Sequence, residues 1–137
     1  SALDWLLPLA QEHDVGVLNG AAMAHGLLSG EDPDVLFAQG QHASRADLLP
    51  DARRLYHWCQ ERGSSVPAVV FQFCMRQPLI HCTLTGVKNL AEMQENLAAA
   101  AEPLPEEIWG ELTALGITTS RYQGQPEHVQ TQKQSSQ

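Results

Sequence analysis

The sequence reads as an α/β chain with one pair of parallel strands. Two short apolar runs, residues 15–18 (VGVL) and 79–85 (LIHCTLT), have strand length and are bounded by Gly, Pro or Asn. Two helical patterns lie between them, so the connection is a long crossover, which brings strands together in parallel. A third observation is what the chain lacks. Two parallel strands leave both sheet edges unpaired and want cover on both faces, so this pattern fits part of a larger α/β assembly.

Each element has its own signature. Residues 2–13 (ALDWLLPLAQEH) place Leu3, Leu6, Leu7 and Ala10 on one stripe, with Pro8 expected to kink or split the helix. After the first strand, Gly20, Gly26 and Gly30 break the chain into turns, and residues 31–46 show no clear period and read as a long surface loop. Residues 47–62 carry Leu48, Ala52, Leu55 and Cys59 on one helical face, with Gly63 as the stop. Ser65 and Pro67 open a second helix that is apolar nearly all round, and the Gln77–Pro78 step ends it. Asn89 with Glu92 three residues on is a capping-box pair, and Leu90, Met93, Leu97 and Ala101 form the expected buried face of the helix that follows. Pro105 opens a last helix, with Ile108, Leu112 and Leu115 in register and Gly116 as its stop.

Residues 1–117 are therefore expected to form the folded part. Residues 118–137 form a Gln-rich tail: from Ser120 onward, 6 of 18 residues are Gln and few are apolar. Such a segment buries too little surface to offset its ordering entropy, so disorder is expected there.

Composition excludes several classes of function. A net charge of −8 and a pI near 5.0 are a poor match for nucleic acid or an anionic membrane, and no basic cluster stands out against that background. No apolar run is long enough to span a bilayer, and no secretory signal is visible. Three cysteines (Cys59, Cys74, Cys82) without framework spacing point to reduced thiols and a cytoplasmic setting. His57, Cys59, Cys74, His81 and Cys82 lack the spacing of a metal site, so none is expected. No nucleophile elbow is present for Ser-His-Asp chemistry. The chain begins with Ser rather than Met, as a processed chain or part of a longer one would.

The ordered set of motifs resembles the C-terminal part of an aldo-keto reductase. Residues 15–28 (VGVLNGAAMAHGLL) resemble the family's strand and Gly-Leu-Leu loop. Residues 68–73 (AVVFQF) resemble its buried helix, residues 79–86 its strand ending in Gly, and residues 95–98 (ENLA) its last barrel helix. The resemblance covers roughly residues 2 to 117 and is nearest in character to the aldose dehydrogenase branch, of the L-fucose and L-galactose dehydrogenase type. It implies a (β/α)8 TIM barrel, of which this chain holds about the last two strands and their helices. A whole barrel takes about 250 residues.

By this resemblance the function is NAD(P)-dependent hydride transfer between the nicotinamide and a sugar or other carbonyl carbon. The cofactor would lie against Asn19, Gly20, Ala21, Met23 and Gly26 after the first strand. Its adenosine end would lie against Thr85, Gly86, Val87, Lys88, Glu92, Glu95 and Asn96 after the second. Gly20 and Gly26 present no side chain against a backbone approach. Asn96 matches the family residue at the adenine edge, against the reading of a plain helix-surface Asn. Lys88 could pair with a 2′-phosphate, whereas Glu92 would repel one and accept a ribose hydroxyl, which favours NAD over NADP. Glu92 is equally readable as the capping-box acid alone, and His25 as a solvated loop residue or a functional one. The family's catalytic Tyr, Lys, Asp and His would all precede this segment. No residue here replaces them: Tyr56 reads as a packing residue and Tyr122 lies in the tail. The expected partner is a small carbonyl or sugar substrate. Two rival readings are a non-catalytic accessory module derived from the same fold, and a standalone helical protein.

Overall fold

The computed structural model describes residues 4–40 and 42–116. The tail, Tyr122 and Leu3 lie outside the described residues. Among the described residues, six α-helices and two strands run in the order α1 (Leu6–Glu12), β1 (Leu18–Asn19), α2 (Pro33–Ala38), α3 (Leu49–Arg62), α4 (Val66–Met75), β2 (Cys82–Thr83), α5 (Leu90–Ala101) and α6 (Glu107–Ala114). Turns of 3-10 helix lie at Ala24–Gly26 and Ala43–Leu48.

The two strands pair in parallel, Leu18 opposite Cys82 and Asn19 opposite Thr83. Backbone bonds from His81 to Val17 (3.0 Å) and from Leu84 to Asn19 (2.8 Å) flank the ladder, and the Val17 N–H donates to His81 Nδ1 (3.1 Å). The strands are shorter than the apolar runs that announce them, and residues 15–18 are not buried: Val15 and Leu18 are exposed, as is Leu84. No further strand among the described residues pairs with either edge, so the ladder is not extended.

The main core joins α3, α4 and α6 through Leu55, Trp58, Cys59, Val66, Val69, Val70, Ile108 and Leu112, with Tyr56 packed against it. Gly63 ends α3 in the left-handed conformation (φ 64°), which costs glycine nothing. The Ser65 hydroxyl accepts the Ala68 N–H at 3.3 Å and starts α4, whose Val66, Ala68, Val69, Val70, Phe71 and Cys74 are all buried. Pro8 does not split α1. It is the third helical residue, and first-turn N–H groups lack intrahelical partners in any case.

Residues 31–46 are not a plain loop. The Asp32 side chain accepts the Asp34 N–H at 2.8 Å, Pro33 fixes the first helical φ, and Leu36 is buried in α2 beside Leu27, Leu49 and Ala52. The Asp-Pro pair is the signal that apolar periodicity alone misses.

The α5 face also differs from expectation. Leu90, Met93 and Leu97 are 72%, 42% and 62% exposed, Ala101 is exposed, and Ala99 is the buried residue of the helix. Helix α5 rests on α4 with Ala99 packed against Ala68 and Phe71. The Gln72 side chain donates to the Glu102 carbonyl (2.6 Å) and the Ala99 carbonyl (3.4 Å), satisfying acceptors that the end of a helix leaves open. The larger apolar side chains of the helix are the exposed ones.

Candidate functional site

The segment after β1 and the segment after β2 leave the sheet side by side, because their strands are parallel. A groove of about 1320 Å³ opens between them. One wall is built from residues 21–42, and the other from residues 85–103 with Ser65 and Pro67. The volume exceeds the few hundred to about 1,000 Å³ of common small-molecule pockets.

The wall after β1 is conformationally unusual. Ala21 (φ 58°), Ala24 (φ 47°) and His25 (φ 58°) all sit in the left-handed region, followed by Gly26 (φ 100°). For side chains other than Gly or Asn this is a strained backbone, of the kind that gathers at ligand sites. The His25 Nε2 lies 2.9 Å from Arg45 Nη2. A guanidinium only donates, so His25 Nε2 accepts and the imidazole proton sits on Nδ1. His42 is 5% exposed, and its Nδ1 has no hydrogen-bond partner among the described residues. Leaving a buried polar atom unpaired costs about 1–3 kcal/mol.

The opposite wall begins at the mouth of α5. Asn89 caps the helix by accepting the Glu92 N–H (2.9 Å), and the Glu92 carboxylate accepts the Lys88 N–H (2.8 Å). This is the expected capping box with its return bond shifted one residue outward, to Lys88 instead of Asn89. Asn96 Nδ2 donates to Thr85 Oγ1 at 3.4 Å, tying the helix to the end of the strand. A Cβ built on Gly86 would meet nothing within 4 Å, and its φ is not positive, so neither packing nor conformation within this chain demands glycine there.

Nine of the twelve residues expected at the cofactor line the groove: Ala21, Met23, Gly26, Thr85, Gly86, Lys88, Glu92, Glu95 and Asn96. Asn19, Gly20 and Val87 do not. Asn19 instead donates its amide N–H to Cys74 Sγ at 3.3 Å. The groove also takes in His25 and His42. His42 was not legible as a site residue in the sequence, since only its burial without a partner distinguishes it.

Lining charge is unbalanced: Glu31, Glu92, Glu95 and Glu102 stand against Lys88. Among the described residues no group of three or more His, Cys, Asp and Glu is placed to hold a metal ion. No described helix is long and apolar enough to cross a membrane.

The aldo/keto reductase family model matches residues 4–117, and the chain belongs to that family. It is similar to an L-galactose dehydrogenase of Arabidopsis thaliana, 25% identical over 97 residues, covering 71% of this chain and 29% of the relative. It is also similar to a pyridoxal 4-dehydrogenase of Microbacterium luteolum, 24% identical over 114 residues (81% and 32%). A third relative is a D-threo-aldose 1-dehydrogenase of a Pseudomonas species, 26% identical over 109 residues (78% and 32%). The first and third of these relatives fit the aldose dehydrogenase branch. The chain spans about a third of the length of each curated relative it matches.

Proposed function

We propose that this chain is the C-terminal, cofactor-binding part of a (β/α)8 barrel whose whole is an NAD(P)-dependent oxidoreductase acting on a sugar or other small carbonyl compound. The observation that carries this reading is convergence. Nine residues expected at the cofactor, drawn from two segments more than 50 positions apart, line one groove. Barrel sites lie where chain segments leave the C-terminal ends of parallel strands, and this groove opens there.

The groove suits a dinucleotide in size, and Gly86 leaves open space that a Cβ would fill. Its charge favours NAD over NADP. Glu92 is held at the mouth of α5 by the Lys88 N–H, where a carboxylate repels a 2′-phosphate and accepts a ribose hydroxyl. The bound nicotinamide supplies the hydride chemistry. The residues of this chain bind and orient it: the backbone after β1 along one side, the capped start of α5 and Asn96 along the other.

The exposed strand pair and the exposed Leu90, Met93 and Leu97 fit surfaces covered by the rest of a barrel. Acid–base groups for the carbonyl are then supplied from outside this chain. The test is to assay the native protein with NAD and a panel of aldoses, following reduced nicotinamide by absorbance, beside a chain limited to residues 1–137. Turnover by the native protein and none by the short chain is the expected result. A native protein that turns over no aldose with either cofactor, and that forms a stable complex with another protein, would favour the accessory-module reading.

A further inference from the structure

Of the asparagines in the sequence, Asn19 alone is followed by glycine; Asn89 and Asn96 are each followed by leucine. The backbone nitrogen after an asparagine lies within reach of that asparagine's Cγ, and a side chain on the following residue hinders its approach. The fold leaves the approach open at Asn19. Gly20 lies just past the end of β1 and is exposed, and its N–H has no hydrogen-bond partner among the described residues. The half-buried Asn19 side chain is held by its nitrogen alone: Nδ2 donates to Cys74 Sγ at 3.3 Å, while Oδ1 accepts nothing among the described residues. The other two asparagines are engaged differently. Asn89 Oδ1 accepts the Glu92 N–H (2.9 Å), and Asn96 lies inside α5, where the Leu97 N–H that follows it belongs to the helical ladder.

We propose that Asn19 is a self-modification site, deamidated by attack of the Gly20 backbone nitrogen on Asn19 Cγ. The N–Cγ bond forms and the Cγ–Nδ2 bond breaks. The proton that leaves the Gly20 nitrogen ends, through water, on the departing ammonia, and a cyclic imide remains. Water then adds to one imide carbonyl and opens the ring. Opening at the side-chain carbonyl gives aspartate, and opening at the main-chain carbonyl gives isoaspartate; nothing is oxidised or reduced. Either product changes the end of the ladder. A carboxylate only accepts, so the donation to Cys74 Sγ is lost. In isoaspartate the backbone also gains a methylene at the residue whose carbonyl accepts the Leu84 N–H (2.8 Å), so that bond opens as well. The new charge stands just before Ala21, where one wall of the groove begins. None of this depends on what the groove binds.

The test is to age the folded native protein at mildly alkaline pH, beside a sample of it unfolded in urea, and to follow each asparagine by peptide mass spectrometry. An isoaspartyl methyltransferase with a labelled methyl donor reports isoaspartate. In the folded protein Asn19 is expected to gain the mass of an amide turned acid, with isoaspartate among the products, while Asn89 and Asn96 keep their amides. The rate rises with pH, because the nitrogen attacks after losing its proton. Gly20→Val slows the conversion at least about tenfold, since a β-branched side chain holds the nitrogen away from Cγ. A Cβ at Gly20 meets nothing within 4 Å and its φ is not left-handed, so the chain accommodates the change. Gly20→Ala, with an intermediate rate, serves if the valine variant does not fold. Amide hydrogen exchange at Leu84 quickens in the converted fraction, and unchanged exchange there contradicts the opened ladder. Conversion of Asn19 in urea alone, or at the wild-type rate in a folded Gly20 variant, overturns the proposal. So does loss of the amide at Asn89 or Asn96 as fast as at Asn19.

Discussion

The Glu92 carboxylate accepts the Lys88 backbone N–H at 2.8 Å, so one acid both closes the start of α5 and places a negative charge in the groove. The two roles separate by substitution. Glu92→Gln keeps a carbonyl oxygen for the Lys88 N–H and removes the charge. The expected outcome is unchanged thermal stability with the preference for NADH over NADPH reduced several-fold, measured by titration of both. Asn89→Ala instead removes the cap and costs about 1 kcal/mol of stability in urea unfolding.

Leu90, Met93 and Leu97 lie on an α5 stripe that is exposed in the described chain. In the native protein, Leu97→Ala is expected to cost about 2–5 kcal/mol, the range for a buried leucine. In a chain limited to residues 1–137 the same change costs under about 0.5 kcal/mol, as at an exposed site. That short chain binds ANS strongly, and Leu97→Lys reduces the signal. Equal costs in the two contexts would mean that nothing covers the stripe.

Gly86 and Gly30 give opposite expectations. At Gly30, φ is +99° and an added Cβ would stand 3.2 Å from Pro67 Cδ, so Gly30→Ala destabilises by about 1–3 kcal/mol. At Gly86 an added Cβ meets nothing in the chain, so Gly86→Ala leaves stability unchanged or raises it by about 0.4–1 kcal/mol. Dinucleotide affinity nevertheless falls, because the methyl group occupies space in the groove. Thermal melts and NADH titration of the pair check both halves.

The cysteines are graded in reactivity. Burial pushes the Cys59 thiol from an ordinary value of 9.0 up to about 11, and burial also raises Cys74 against the opposing hydrogen bond from Asn19. Cys82 is exposed and free. Iodoacetamide at pH 8 is expected to modify Cys82 first and Cys59 last, as read by mass spectrometry. The sign for stability follows: the folded state holds the Cys59 proton more tightly than the unfolded chain. The associated stability is therefore present below about pH 9 and is lost as pH rises toward about 11.

Local rules made much of this fold readable from the sequence. Asn89, Ser65 and Gly63 act at helix ends as their residue types require, and the long crossover places the two strands in parallel. Failures came where a residue's partner was not visible in the pattern. Leu90, Met93 and Leu97 look like a core face because a stripe shows amphipathicity, not which neighbour is present to cover it. Asn19 sits among groove residues in sequence, yet its amide finds Cys74, 55 positions away. Asp32 with Pro33 starts a helix too short for periodicity to register. His42 declares itself only through burial without a partner, a property of three dimensions.

The proposed function turns on a nicotinamide dinucleotide lying in the groove between the two post-strand segments. The most direct measurement is titration of the native protein with NADH and NADPH, followed by calorimetry. The expected result is saturable, one-site binding of NADH, at least about tenfold tighter than NADPH, which Gly86→Ala weakens. A folded native protein that binds neither dinucleotide, or that binds NADH unaffected by changes at Gly86, Glu92 and Asn96, would contradict it.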